Sequence, residues 1–199
     1  MSAFSDTDLP LDIVERARSG DVGAWEAIFR SFERPVFTLA RRLVPQRAAA
    51  EDLAQDVFVE VLTRLHQYEG RGSFAGWVRS IAVNKCLMHL RSPWRRGLRW
   101  LDAASDEASD ASSWPAEVTR GDCDARIDAE RALARLPDDS RIVVWLHDVE
   151  GYTHAEIGAL FGKTPSFSKS QLLRAHEKLR AMLQDSGVEP SCLPVSTSY

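Results

Sequence analysis

Lys169, Arg174, Lys178 and Arg180 recur with Ser166, Ser170 and Gln171 on what the apolar period reads as the outer face of one helix. Their chemistry is recognition. Ammonium and guanidinium groups take phosphates, while Arg, Ser and Gln reach the donors and acceptors of base edges. Leu172, Ala175, Leu179 and Leu183 form the inner stripe, and Thr164 and Pro165 offer a cap and a first helical residue. Just upstream, Thr153 and Glu156 have the spacing of a capping box. Ile157, Leu160 and Phe161 then give one apolar face, and Gly162 stands where a left-handed residue would close the helix. Two readings fit this pair of helices. One is an ordinary helical hairpin with a solvated basic face; the other is a DNA-binding helix-turn-helix whose second helix enters the major groove.

A second concentration of charge lies in residues 71–100, where Arg71, Arg79, Lys85, Arg91, Arg95, Arg96 and Arg99 meet no acid, a local charge of +7. It opens with the polar loop HQYEGRGS (66–73) and continues as FAGWVRSIAVNKCLMHLR (74–91), a helix burying Trp77, Ile81 and Leu87 with Arg79, Asn84, Lys85, Met88, His89 and Arg91 outward. Aromatics beside cations and an amide suit unpaired nucleic acid, whose bases stack on rings while charges follow the backbone. The plainer alternative makes Phe74 and Trp77 core residues. Upstream, a helix from about residue 48 to 65 carries Leu53, Val57, Phe58, Val61, Leu62 and Leu65 on its inner face. Asp52, Gln55, Asp56, Val59, Glu60 and Thr63 form an acidic stripe on the other. That stripe is either a solvated face or a dock for a basic partner helix.

Bond-making chemistry finds no such support. His66, His89, His147, His154 and His176 include no His-x-x-x-His pair, and neither a Gly-x-Ser-x-Gly elbow nor a glycine-rich phosphate loop occurs. His147 adjoins Asp148, but neighbours on a regular helix do not face each other. Cys86, Cys123 and Cys192 are odd in number and lack C-x-x-C spacing, which argues for free thiols. No enzyme, metal or cofactor is expected.

The elements that must position these residues follow from composition. A chain of 199 residues, 44% apolar, can bury real cores, and it has neither an 18-residue apolar run nor a basic-then-apolar leader, so a cytoplasmic protein without membrane insertion is expected. Net charge is only −4 because the basic block is followed by residues 101–124, with seven acids against Arg120. That stretch is too polar for a core and reads as a linker. Before the acidic helix come a short helix around 12–19 closed by Gly20 and a longer one capped by Asp21. The longer helix has Trp25, Ile28, Phe29 and Phe32 inside, is bent or restarted at Pro35, and stops at Pro45. The expected fold is all-α: two small helical domains joined by an acidic flexible linker, the C-terminal one a helix-turn-helix.

In this order, AEDLAQDVF (50–58), GSFAGWVRSIAVN (72–84), the acidic linker, LPDDSRIVVWLHDVEGYTHAEIGALFG (136–162) and SKSQLLRAHEKLR (168–180) resemble a bacterial RNA polymerase sigma factor of the sigma-70 family, extracytoplasmic function (ECF) type. The resemblance runs from about Asp12 to Leu183. It implies an initiation factor that binds core RNA polymerase, directs it to promoter DNA and promotes melting. It divides the chain into a region 2-like domain (1–92), a linker (93–125), a region 4-like domain (126–185) and a tail (186–199). Asp52, Gln55, Asp56 and Val59 match the helix that grips the coiled-coil clamp of the polymerase large subunit. Tyr68, Glu69, Gly70, Arg71, Gly72 and Ser73 match the loop that captures a flipped minus-ten base, and Asn84, with Arg79 and Lys85 beside it, falls on the helix reading the adjacent strand. Ser166, Lys169, Ser170, Gln171, Arg174 and His176 align with the minus-thirty-five recognition helix. Ser166, Phe167 and Ser168 replace a usual Gly-Thr-Val, Gln171 and His176 replace frequent arginines, and Met88 replaces a usual polar residue, so promoter preference is expected to differ. An inhibitory anti-sigma factor is a further implied partner. A conventional helix-turn-helix regulator, or a sigma-like decoy that occupies an anti-sigma factor, are the alternatives.

Overall fold

The computed structural model describes residues 4, 7, 9–44, 46–92 and 132–185, the last three by backbone alone. The expected linker (93–125), residues 126–131 and the tail (186–199) lie outside the described residues, as do Pro45, Cys123 and Cys192. The chain divides into two compact units, Met1–Asp106 and Glu107–Tyr199. Every regular element among the described residues is helical. None is long and apolar enough to cross a membrane.

In the first unit, α1 (Leu11–Arg18) ends before Gly20, whose φ of +92° turns the chain where a side chain would be strained. Asp21 then caps α2 (Val22–Leu43) by accepting from the Ala24 amide at 3.1 Å. The α2 helix runs through Pro35 without a restart. A proline inside a helix costs about 3 kcal/mol. Here Ile28, Phe32, Val36, Leu39 and Leu43 stay in phase on both sides of it, all wholly or almost wholly buried, and each contributes about 1.5–3 kcal/mol. Burial wins.

The α3 helix (Arg47–Arg64) buries Leu53, Val57, Phe58 and Val61 against α2, and a 3₁₀ turn (Leu65–Gln67) buries Leu65. Leu62 was expected inside but is 51% exposed, because it lies three residues after Val59 and shares its outward face. Phe29 is also partly exposed, though its ring lies 4.6 Å from Phe58. After the loop at 68–73, Ser73 caps α4 (Phe74–Arg91) by accepting from the Gly76 amide at 3.0 Å. This helix buries Phe74, Val78, Ile81, Val83, Cys86 and Leu87, while Trp77 is only half-buried. Burial pushes the Cys86 thiol up to about 12, which keeps it protonated and inert.

In the second unit, α5 (Asp138–Val144) passes into a π-helical turn (Trp145–Val149) that buries Leu146. The α6 helix (His154–Phe161) opens on the expected box: Thr153 Oγ1 accepts from the Glu156 amide at 3.2 Å, and the Glu156 carboxylate accepts from the Thr153 amide at 2.8 Å. Gly162 closes it at φ +60°, and Pro165 opens α7 (Pro165–Asp185). Leu172, Ala175 and Leu179 are the buried stripe of α7; the Leu183 side chain lies outside the described residues.

The turn between these helices is tight enough to specify a glycine in the middle of α6. A Cβ on Gly158 would meet the Lys163 carbonyl oxygen at 2.9 Å and the Pro165 nitrogen at 3.0 Å, both backbone atoms that cannot swing aside. Gly158→Ala is therefore expected to destabilise this unit by about 1–3 kcal/mol, despite alanine's better helix propensity. A circular dichroism melt with an unchanged or raised midpoint would contradict this packing.

Candidate functional site

On α3, Asp52, Gln55, Asp56 and Val59 all point to solvent, and Val59 is 62% exposed with Leu62 one turn on. The two acids make no ion pair among the described residues. Glu60 leaves the stripe: its carboxylate takes Lys85 of α4 at 2.9 Å and Arg64 at 3.0 Å, bonds that hold it below its usual range. The outward surface is thus two unpaired carboxylates and an amide beside exposed aliphatic side chains, which suits a basic amphipathic partner.

The loop at 68–73 is built on Tyr68, which lies beneath it and is only 5% exposed. Its ring lies 5.1 Å from Phe74 and 5.6 Å from Trp77, and its hydroxyl donates to the Gly72 carbonyl at 2.8 Å. Gly70 and Gly72 have φ of +75° and +77°. Glu69 and Arg71 pair at 2.9 Å in full solvent, which contributes little. Glu69, Gly70, Arg71, Gly72 and Ser73 are exposed, and so is Asn84 on α4, whose amide donates one hydrogen to Ser80 at 2.8 Å and keeps the other and its carbonyl oxygen available. Arg79 is half-buried, and Lys85 is committed to Glu60. Sequence reasoning missed Arg18, which donates from α1 to the Tyr68 carbonyl; nothing local marks a partner fifty residues away.

On α7, Ser166, Lys169, Ser170 and Arg174 are exposed on the outer face. The other two residues of the set are engaged within the fold. Gln171 accepts from the buried Ser140 hydroxyl at 2.8 Å, and His176 Nε2 meets Asp148 Oδ2 at 2.7 Å. The expectation that His147 and Asp148 would not face each other is overturned: Nδ1 and Oδ1 are 2.8 Å apart, in a π-helical turn that departs from regular helical spacing. His154 stacks on His147 at 4.5 Å and reaches Ser168 Oγ at 3.0 Å. Ser168 is wholly buried, so this Ser-His contact is closed to any substrate.

This cluster sets a pH response. Burial pushes the Asp148 carboxyl up, but hydrogen bonds from His176 and His147 outweigh it and hold the group below its ordinary 3.8. Its contribution to stability is present above 3.8 and lost as pH falls through the lower folded value. His154 is held below its ordinary 6.5 by burial first, then by His147 and Lys169, so its contribution is present above 6.5 and lost below. Asp148→Asn should lower the melting midpoint at neutral pH, with the gap to wild type closing in strong acid. His154→Gln should remove part of the loss that begins below about pH 6.5. Parallel melts across pH check both.

A family model described as sigma-70 region 2 matches residues 28–96, and one described as sigma-70 region 4 matches residues 126–179. The chain is 34% identical over 176 residues to the RNA polymerase sigma factor CarQ of Myxococcus xanthus, spanning 88% of this chain and 98% of that protein. It is 31% identical over 170 residues to the ECF RNA polymerase sigma factor SigE of Mycolicibacterium smegmatis, spanning 83% of this chain and 65% of that one. Among solved structures, the sigma factor RpoE of Bartonella quintana, crystallised with the anti-sigma factor NepR, aligns with a TM-score of 0.60 at 22% identity over 80% of this chain and 96% of that chain, a likeness of fold. With both regions matched in order and a relative aligned over nearly its whole length, the chain belongs to the sigma-70 family of RNA polymerase sigma factors, extracytoplasmic function type.

Proposed function

We propose that this protein is a transcription initiation factor that binds core RNA polymerase, directs it to specific promoters and promotes DNA melting, working by binding rather than catalysis in the cytoplasm. Residues 1–92 dock on polymerase through Asp52, Gln55, Asp56 and Val59. They also receive the minus-ten element on the 68–73 loop, on Asn84 and on the flanking Arg79, while Lys85 is held by Glu60 beside them. Residues 126–185 read the minus-thirty-five element through Lys169 and Arg174, with Ser166 and Ser170 beside them; Gln171 and His176 set the pose of α7 through their bonds to Ser140 and Asp148. Residues 93–125 link the two. An anti-sigma factor is the inhibitory partner we propose.

The observation that supports this reading most is the pairing, on one chain, of an unpaired acidic and aliphatic face on α3 with an open basic face on α7. A conventional regulator has no use for the first, and a decoy has none for the second. Run-off transcription from genomic fragments, with core polymerase in the presence and absence of the protein, tests it. Promoter-specific transcripts that require the protein are expected. Duplex binding without any polymerase-dependent transcript would favour the conventional regulator.

A further inference from the structure

We propose that Arg18 is a positioning residue for base capture: from α1 it holds the root of the 69–72 loop in the shape that receives an unpaired base. The inference deepens the minus-ten reading above and rests on it. Arg18 lies in the last turn of α1, where its Nη1 donates to both carboxylate oxygens of Glu15 at 3.0 and 3.1 Å while its Nη2 donates to the main-chain carbonyl of Tyr68. That carbonyl sits where the chain leaves the 3₁₀ turn. At the other end, the Tyr68 hydroxyl donates to the Gly72 carbonyl at 2.8 Å. The loop is therefore tied at both ends through a single residue, once by its backbone and once by its side chain.

Inside those ties, little sets the loop's shape. Gly70 and Gly72 take left-handed conformations that glycine adopts as one choice among many, and the Glu69–Arg71 pair lies in solvent. A loop of this kind keeps one shape only while its ends are held. Binding weakens in proportion to the fraction of molecules in the competent shape. Arg18 itself is an unpromising ligand for DNA phosphate, because Glu15 already neutralises it and its side chain is only 31% exposed. It acts through the loop.

The test uses holoenzyme assembled from core polymerase and each variant. The probe is a single-stranded oligonucleotide carrying the non-template minus-ten strand of a promoter from which wild-type holoenzyme initiates. Arg18→Met keeps the apolar stem and removes the donors. It should bind the strand roughly tenfold more weakly, as expected if the competent fraction falls to about a tenth. Affinity for core polymerase and for upstream duplex should stay as in wild type. Exchange of the Tyr68 amide, which donates to the Leu65 carbonyl at 3.2 Å at the root of the loop, should rise by a similar factor in the free protein, and Arg18→Lys, which retains a cationic donor group, should largely reverse both changes. Unchanged exchange and strand binding in Arg18→Met would overturn the proposal. So would a parallel loss of strand, core and duplex binding, which would mean a purely structural role. If Arg18→Met fails to fold, Glu15→Ala, which removes only the anchor, takes its place, and wild-type behaviour there would overturn the proposal. Should wild-type holoenzyme itself fail to bind the strand while loop exchange responds as expected, the minus-ten reading falls, and with it the role given to Arg18.

Discussion

The double variant Asp52→Lys, Asp56→Lys should lose core polymerase binding by about two orders of magnitude or more while melting within a few degrees of wild type. Both carboxylates lie one turn apart on the solvent face of α3 and have no ion-pair partner among the described residues. Their removal should therefore cost the fold no more than about 0.5 kcal/mol, the usual range for surface substitutions. At a docked interface the accounting differs, since like charges brought face to face cost several kcal/mol, and about 2.7 kcal/mol is already a hundredfold. Val59→Ala should give a smaller loss, because it trims an exposed aliphatic contact without reversing any charge. Co-purification with core polymerase, beside a melt of each variant, reads both quantities. A folded double variant that still co-purifies in normal yield would remove the docking role from this face.

Much of the architecture was legible because its signals are local. The capping box at Thr153 and Glu156, the Asp21 cap and the left-handed Gly162 each depend on residues within four positions, and the apolar periods placed α3, α4 and α7 to within a residue or two. Contacts between elements left no such trace. Lys85 reads as a cation available to DNA until α4 packs beside α3 and Glu60 takes it; Tyr68 reads as a loop aromatic until Phe74 and Trp77 close around it. Gln171 was placed on the reading face by the apolar period and His176 by alignment. Ser140 and Asp148, which engage them from the other side, come from elements 28 residues away or more. The π-helical turn escaped for a different reason: it breaks the regular helical geometry on which the argument about His147 and Asp148 relied. Leu62 was misplaced because a run of apolar residues hides which of them the helix turns outward.

The two reading surfaces should fail differently because they meet different forms of DNA, and here the structure sharpens the ranking within each. Lys169 and Arg174 are exposed on α7 and carry no ion pair among the described residues, whereas Gln171 and His176 are already engaged inside the unit. Arg174→Ala should therefore weaken upstream duplex binding by roughly 5- to 150-fold, the equivalent of a base-edge contact worth about 1–3 kcal/mol. If Lys169 meets phosphate, Lys169→Ala should weaken all duplex sequences alike and lower the salt slope by about one. On α4, Asn84→Ala should leave duplex affinity near wild type, because its amide meets bases only after the strands part; open-complex formation should fall instead. Template melted in advance should partly rescue a defect in the 68–73 loop, since the cost of unpairing has then been removed, and it should leave the Arg174→Ala defect in place. Permanganate footprinting of unpaired thymines, run beside duplex binding for both variants, separates the two steps. If Asn84→Ala lost duplex affinity as severely as Arg174→Ala while melting the promoter normally, α4 would have to be reassigned from the melted strand to the duplex.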